Sequence, residues 1–272
     1  MRTNPEPPAL RRLGVMSALA EEQHGLLALM SQRSSRTHGQ RDYHAGLLHG
    51  QPCVCVLSRV GKVAAATTAA SLLLEHGCDA IVFTGVAGGL GAGVNVGDVV
   101  VAHDLLQHDL DASPIFPRYE LPLYGTARLS ADAGLSAALH AASTRALPRL
   151  LAGPHAAAIG ALVTHAPRVH AGLVASGDRF VSSAAESQAL RQALREAGYD
   201  ALAVEMEGAA VAQVCHDYGV PFAMVRTISD RADDSAHVDF PRFIRDVASR
   251  YSVAIVDEWL SARAQQPRQA NS

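Results

Sequence analysis

The sequence predicts a single α/β domain, and three observations carry that reading. Strand-like apolar runs alternate with helix-spaced segments along the chain. The 272 residues are 49% apolar and 18% charged, which is ample for one sizeable core. No internal repeat and no linker divides them, so residues 11–264 are assigned to the domain and residues 1–10 and 265–272 to flexible tails.

Residues 13–19 read as a first strand, after which Ala20-Glu21-Glu22 opens a helix to about Met30, with Leu26, Leu27 and Met30 on one side. Carboxylates at such an entrance stabilise a helix by roughly 0.3–1 kcal/mol. Glu22 therefore gains functional meaning only if other residues point to this loop. Residues 43–59 read as a hairpin around Gly50. Gly61-Lys62 begins a helix through Glu75, stopped by Gly77, and is no Walker A loop because Val56 stands where that motif needs a glycine. Residues 80–84 form a buried strand before the glycine-rich GVAGGLGAG. A dinucleotide fingerprint has to open a helix, whereas this chain runs through Asn95-Val96-Gly97-Asp98 into the strand signal VVVAHDLL. The glycines are left as either a structural loop or a flat turn beside a small planar ligand.

QHDLDASPIFPRYELPLYG, residues 107–125, is too long and irregular for an ordinary connection, and its aromatics argue against disorder. A lid or an interface arm is expected there. Residues 130–145 read as an alanine-rich amphipathic helix, 146–169 as low-complexity connection, 173–176 as a strand leading into Gly177-Asp178-Arg179-Phe180-Val181, and 184–197 as a second helix. A polar loop at 231–239 and an amphipathic helix over 240–264 complete the chain.

The stretch from 201 to 230, ALAVEMEGAAVAQVCHDYGVPFAMVRTISD, is the richest in chemistry. It reads as a strand (201–204), a helix (205–218), a stop at Gly219 and a second strand (220–228), a βαβ-like unit. Glu205 and Glu207 leave the first strand at its carboxyl end, and Arg226 and Asp230 stand near that end of the second, the edge where open α/β sheets bind ligands. Parallel strands would make these charges converge. The plainer reading of each glutamate alone is that it favours a helix N-terminus.

Composition narrows the function. A formal net charge of −3 without blocks of like charge carries no footprint for nucleic acid or an anionic membrane surface, so a small ligand is expected. Arg11-Arg12 before LGVMSALA mimics a secretion signal, but Glu21 and Glu22 cut the apolar run short. No segment has the ~20 apolar residues of a membrane span, and a cytoplasmic location is expected. Cys53, Cys55, Cys78 and Cys215 follow neither a zinc nor a disulfide spacing, and the 13 histidines are scattered, so no metal is expected.

VEMEGAAVAQVC with RTISD resembles the nucleoside phosphorylase and nucleosidase superfamily, specifically the bacterial methylthioadenosine/S-adenosylhomocysteine nucleosidases. SALAEE, SRVGKVAAA, TGVAGGL with VGDVVV, HDLDAS and SGDRF extend the resemblance in the family's order over most of residues 13–260. It implies a single α/β domain around a central mixed sheet flanked by helices, a homodimer, a small-molecule nucleoside substrate and no cofactor. It assigns Glu22 as the group that activates water, Asp230 as the proton donor to N7 of the purine, and Arg226 as a guide for the water. Glu207 would hold the ribose hydroxyls, Met206 would pack on the sugar, Phe180 would stack on adenine, and the backbone of Val181 would read its edge. The resemblance also places Val86 and Gly88, in TGVAGGL, in the substrate site. Val86 stands where the family often has a serine, so the hydrogen bonding around Asp230 is expected to differ. In relatives the loop after HDLDAS comes from the partner subunit and covers the 5′ substituent, and here it offers Ile115, Phe116 and Tyr119 for that lid.

Chemistry asks for such a set independently. Breaking a ribosyl–adenine bond passes through an oxocarbenium-like state, so the base must be neutralised while the sugar is stabilised from the other face. Asp230 is then expected protonated and Glu22 ionised. Two alternatives stay in view: a phosphorolytic purine nucleoside phosphorylase and a non-catalytic nucleoside-binding protein of the same fold. Hexameric-type phosphorylases carry a GDPxR-like loop near the start, where SALAEE would instead repel phosphate.

Overall fold

The computed structural model describes residues 10–231 and 240–265. The expected tails at 1–10 and 265–272 and the polar loop at 231–239 lie, apart from Leu10, Arg231 and Gln265, outside the described residues. The elements in order are β1 Leu13–Ser17, α1 Ala20–Leu29, β2 Ser31–His38, β3 Arg41–Leu48, β4 Gln51–Leu57, α2 Lys62–Leu74, β5 Ala80–Gly89, β6 Val99–Gln107 and β7 Arg128–Ser130. There follow α3 Ala133–Leu151, α4 Ala156–Gly160, β8 Val169–Ser176, α5 Ala184–Glu196, β9 Ala201–Glu205, α6 Gly208–Asp217, β10 Phe222–Asp230, α7 Phe240–Phe243 and α8 Ser249–Gln265. A π-helical turn, Ile244–Ala248, joins the last two helices and interrupts what the sequence reads as one helix.

These strands make one mixed, 10-stranded sheet. β10, β6, β8, β9 and β5 pair in that order, and β10 also pairs with β5, so this part of the sheet closes on itself. β1, β4, β3 and β2 extend outward from β5. β8 is parallel to both β6 and β9, whereas β6 is antiparallel to β10. β9 and β10 therefore run in opposite directions and are not the parallel pair of a βαβ unit. Their charged residues still converge, because both strands flank β5.

The strands read as continuous apolar runs because helices cover both faces. Leu13 and Val15 of β1, Ala80 and Val82 of β5, and Ala223 and Val225 of β10 face a core shared with α1, α3 and α8. Met16, Ile81, Phe83, Phe222 and Met224 point the other way, onto α2 and α6, as the two-residue strand period requires. A smaller cluster packs Leu194 of α5 and Tyr119 against Leu106, Ala175 and Val204.

Several departures from the sequence reading have local causes. SQRSSRTH forms β2 although every residue is exposed. It is an edge strand held by its backbone ladder to β3, so it has no apolar alternation to read, and its arginines protect the edge. GVAGG is not a turn but the end of β5. There Gly88 pairs with Asp230 of β10 and Val204 of β9, and a Cβ on the next residue, Gly89, would lie 3.2 Å from the Ile228 side chain. α3 runs through Pro148 to Leu151, carried by the buried Ala146 and Leu147, so it is longer than the alanine pattern suggests.

Asp98 ties the outer end of this closed sheet. Its side chain is fully buried and accepts from the backbone N–H of Asn95 (3.0 Å) and Arg168 (2.8 Å) and from His165 and His170 (3.1 and 2.8 Å). Burial alone would raise its pKa, but these donors together hold it below the usual carboxylate value. Asp98→Ala removes the shared acceptor of these donors, and the expected loss is roughly 1–3 kcal/mol. The check is thermal or urea unfolding at neutral pH. Unchanged stability would show that the Asp98 cluster is incidental.

Candidate active site

Glu22 stands in the first turn of α1 and is fully buried. Its Oε2 accepts from the N–H of Ala18 (3.1 Å) and Leu19 (3.0 Å), so the glutamate does cap its helix, as the plainer reading holds. Its Oε1 has no protein partner. Burial pushes its pKa up to about 7 against the lowering effect of the Leu19 N–H and the Arg226 charge. The carboxylate expected of Glu22 therefore coexists with its acid form around neutrality. The group is poised to exchange a proton near pH 7, where a general base is most effective.

Arg226, in the middle of β10, is 1% exposed. Its Nη2 donates to Glu205 Oε2 at 2.6 Å and lies 3.9 Å from Glu207 Oε2. Its Cζ sits 4.0 Å from the centre of the Phe83 ring, while Nε and Nη1 have no protein acceptor. Gly85 makes this arrangement possible: a Cβ there would lie 2.8 Å from Arg226 Nη1 and 3.3 Å from Glu22 Oε1. The two unpartnered atoms therefore converge on the space that a side chain at residue 85 would fill.

The glutamates of VEMEG divide their work. Glu205 turns inward and accepts from the N–H groups of Glu207 and Gly208 at the start of α6. Glu207 reaches the opposite way, and its Oε1 accepts from the N–H of Gly61 at 2.9 Å. Burial first, and the neighbouring Glu205 charge second, push the Glu207 pKa up to about 7.

In front of these groups lies a cavity of about 190 Å³. Its walls are mostly apolar and include Val86, Gly88, Phe180, Val181, Met206, Glu207 and Asp230, seven of the positions singled out in the sequence. Leu19, Val60, Ser229 and Phe240 line it as well and were not assigned a role from sequence. Phe240 meets Phe180 edge-on with ring centres 6.2 Å apart. Its only sequence signal is a large apolar residue opening the last helix. Asp230, 7% exposed, accepts from the Ser229 hydroxyl at 2.7 Å, so a hydroxyl reaches it although position 86 is valine. Glu22 and Arg226 lie behind this wall and not on it. Ile115 and Phe116 are not on the wall either, and Ile115 is 82% exposed on the outer surface. Tyr119 does not join them as a lid residue: it is buried against Leu106, Ala175 and Val204, because its ring is taken up by the core. A wider groove of about 540 Å³ along α5, beside Arg191, Arg195 and Arg231, contains none of these groups.

The likeness to known proteins covers nearly the whole chain. The profile of the Phosphorylase superfamily matches residues 12–261, which sets the class. The 5′-methylthioadenosine/S-adenosylhomocysteine nucleosidase of Chromohalobacter salexigens is 35% identical over 246 residues, 90% of this chain and 95% of that protein. The Neisseria meningitidis nucleosidase, solved in complex with methylthio-immucillin-A, superposes with a TM-score of 0.80 at 31% identity, covering 93% of this chain and 100% of that one. The Colwellia psychrerythraea nucleosidase, solved with adenine, gives a TM-score of 0.78 at 28% identity over 93% of this chain and 95% of that one. The chain belongs to the methylthioadenosine/S-adenosylhomocysteine nucleosidase family of the phosphorylase superfamily.

The raised pKa of Glu22 makes a stability prediction. An unfolded glutamate titrates near ~4.3, well below about 7 in the fold, so the folded state holds this proton more tightly. That contribution is complete below the unfolded pKa and is lost as pH rises through about 7. Glu22→Gln should therefore melt above the parent at about pH 8, with the gap closing towards about pH 5. A gap that does not change with pH would contradict the burial account.

Proposed function

We propose that this chain hydrolyses the N-glycosidic bond of 5′-methylthioadenosine and S-adenosylhomocysteine, releasing adenine and the 5′-substituted ribose. One observation carries the reading: a buried carboxylate oxygen of Glu22 and a buried N–H of Arg226, neither with a protein partner, converge behind a cavity that holds Asp230. Such a pair suits a water molecule, with Arg226 donating to it and Glu22 taking its proton.

Phe180 and Val181 would form the adenine side, with the ring stacked on Phe180 and its edge on the Val181 backbone. Glu207 would accept from the ribose hydroxyls while Met206 packs on the sugar. As the glycosidic bond stretches, Asp230 delivers a proton to N7, and the electrons of the bond leave with a neutral base. The positive charge growing on the sugar is met by the carboxylates of Glu207 and Glu22, and water adds to the anomeric carbon as Glu22 removes its proton. Phosphate does not suit this nucleophile site, because Glu22, Glu205 and Glu207 surround the Arg226 guanidinium.

The active form would be a cytoplasmic homodimer serving methionine salvage. Among the described residues no helix is long and apolar enough to cross a membrane. Tyr119 and Leu121 anchor the 107–125 arm in the core while Ile115 (82%) and Leu123 (91%) remain exposed, as an arm reaching for a partner requires. Ile115 and Phe116 would then close the 5′ end of the partner's cavity.

With methylthioadenosine in phosphate-free buffer, the protein should release adenine, and Asp230→Asn should lower kcat by roughly 10²–10⁴-fold. Adenine release that needs phosphate would make the chain a phosphorylase instead. Sedimentation at micromolar concentration should give a dimer; a monomer would remove the partner's lid from the reading.

A further inference from the structure

Arg226 can orient a water molecule only if something orients Arg226. A guanidinium is planar, and its direction is set once one nitrogen and one face are held. Phe83 covers the face, and Glu205 holds the Nη2 end at 2.6 Å. Glu205 is itself held on every side. The Ser176 hydroxyl at the end of β8 donates to its Oε1, Gly208 N–H bonds both oxygens at 2.9 Å, and Glu207 N–H reaches Oε2 at 3.2 Å. Ser176 is fixed in turn by the N–H of Ala209 at 2.8 Å. One carboxylate thus joins β8, β9, the start of α6 and the arginine of β10.

We propose that Glu205 is a positioning residue for the hydrolysis: it pins Arg226 so that Nε and Nη1 remain directed at the space beside Glu22. This rests on the reading that Arg226 orients the attacking water. Glu205 lies at the back of the cavity, 6% exposed, and takes no part in bond breaking. Without it the nearest carboxylate to Arg226 is Glu207, already 3.9 Å away, and the guanidinium would turn towards the group needed for the ribose.

The charge of Glu205 leaves a second mark. Glu207 faces Glu205 from β9, Arg226 from β10, Glu22 from α1 and the N–H of Gly61 ahead of α2. Glu205 raises the proton affinity of Glu207, and Arg226 lowers it. His108, after the end of β6, also feels the Glu205 charge. Neutralising Glu205 removes the repulsion beside Glu207 and releases Arg226 towards Glu22 and Glu207. Both changes lower the pH at which those carboxyls ionise.

The test compares Glu205→Gln, which keeps the shape and loses the charge, with Glu205→Asp, which keeps the charge and loses reach. Adenine release from methylthioadenosine is followed as kcat, KM and the pH profile of kcat/KM. Glu205→Gln should lose roughly 10²-fold in kcat with a much smaller change in KM, and its acid limb should move to lower pH. Glu205→Asp should lose less kcat and keep the parental limb. A kcat for Glu205→Gln within about threefold of the parent, or equal losses in both variants with no movement of the limb, overturns the proposal. If Glu205→Gln does not fold, Glu205→Asp decides: a lowered kcat with the parental limb supports the proposal, and an unchanged kcat ends it. No adenine from the parent protein overturns the nucleosidase reading and this inference together. Adenine from the parent with an unimpaired Glu205→Gln overturns the inference alone.

Discussion

Taking a guanidinium out of water removes several kcal/mol of hydration even after the protein relaxes, and Arg226 is 1% exposed. The surroundings have to answer that charge, and the way they do so organises the site. Glu205 gives the direct ion pair, Glu207 a longer one, and the Phe83 ring a polarisable floor. Glu22 adds its field from the start of α1. The compensation is incomplete on purpose of chemistry: Nε and Nη1 keep no protein acceptor, and a fully paired arginine would have nothing left for a water molecule or a sugar.

The same crowding explains why the carboxyls differ. Glu22 and Glu207 are both pushed up to about 7, mainly by burial. Near neutrality each can hold or release a proton, so the site can change its charge as a sugar cation forms. Holding such groups inside the fold opposes stability at alkaline pH. That cost is met by the packed strands around them, whose apolar residues sit in clusters on both faces of the sheet.

Backbone geometry sets the scale of the site. β5 can pair with β10 on one side and touch β9 on the other because its end is TGVAGG, with Gly85 beside Arg226 and Gly88 at the crossing of strands. The closed part of the sheet brings Glu205 and Arg226 to 2.6 Å although their strands run in opposite directions. A parallel pair would have needed a neighbouring register; this arrangement needs only that both strands border β5.

Much of this protein is readable from residue order. Continuous apolar runs mark β1, β4, β5 and β10, Gly50 marks the β3–β4 turn, and helical spacing marks α5. Position beside strand ends picks out Glu205, Glu207, Arg226 and Asp230, and the family resemblance adds Glu22 and gives Glu207 its role. Residue order did not disclose β2, which has no apolar face, nor the continuation of β5 through its glycines, which depends on partners on both sides. Spacing without the resemblance did not separate Glu205 from Glu207, because both precede the same helix and either could serve as its cap. Tertiary structure turned one towards Arg226 and the other towards Gly61. Sequence alone determined which chemical groups the chain carries and near which strand ends they stand. Their pairing and their proton affinities were decided only by the closure of the sheet, because burial and charge proximity are properties of residues distant in the chain.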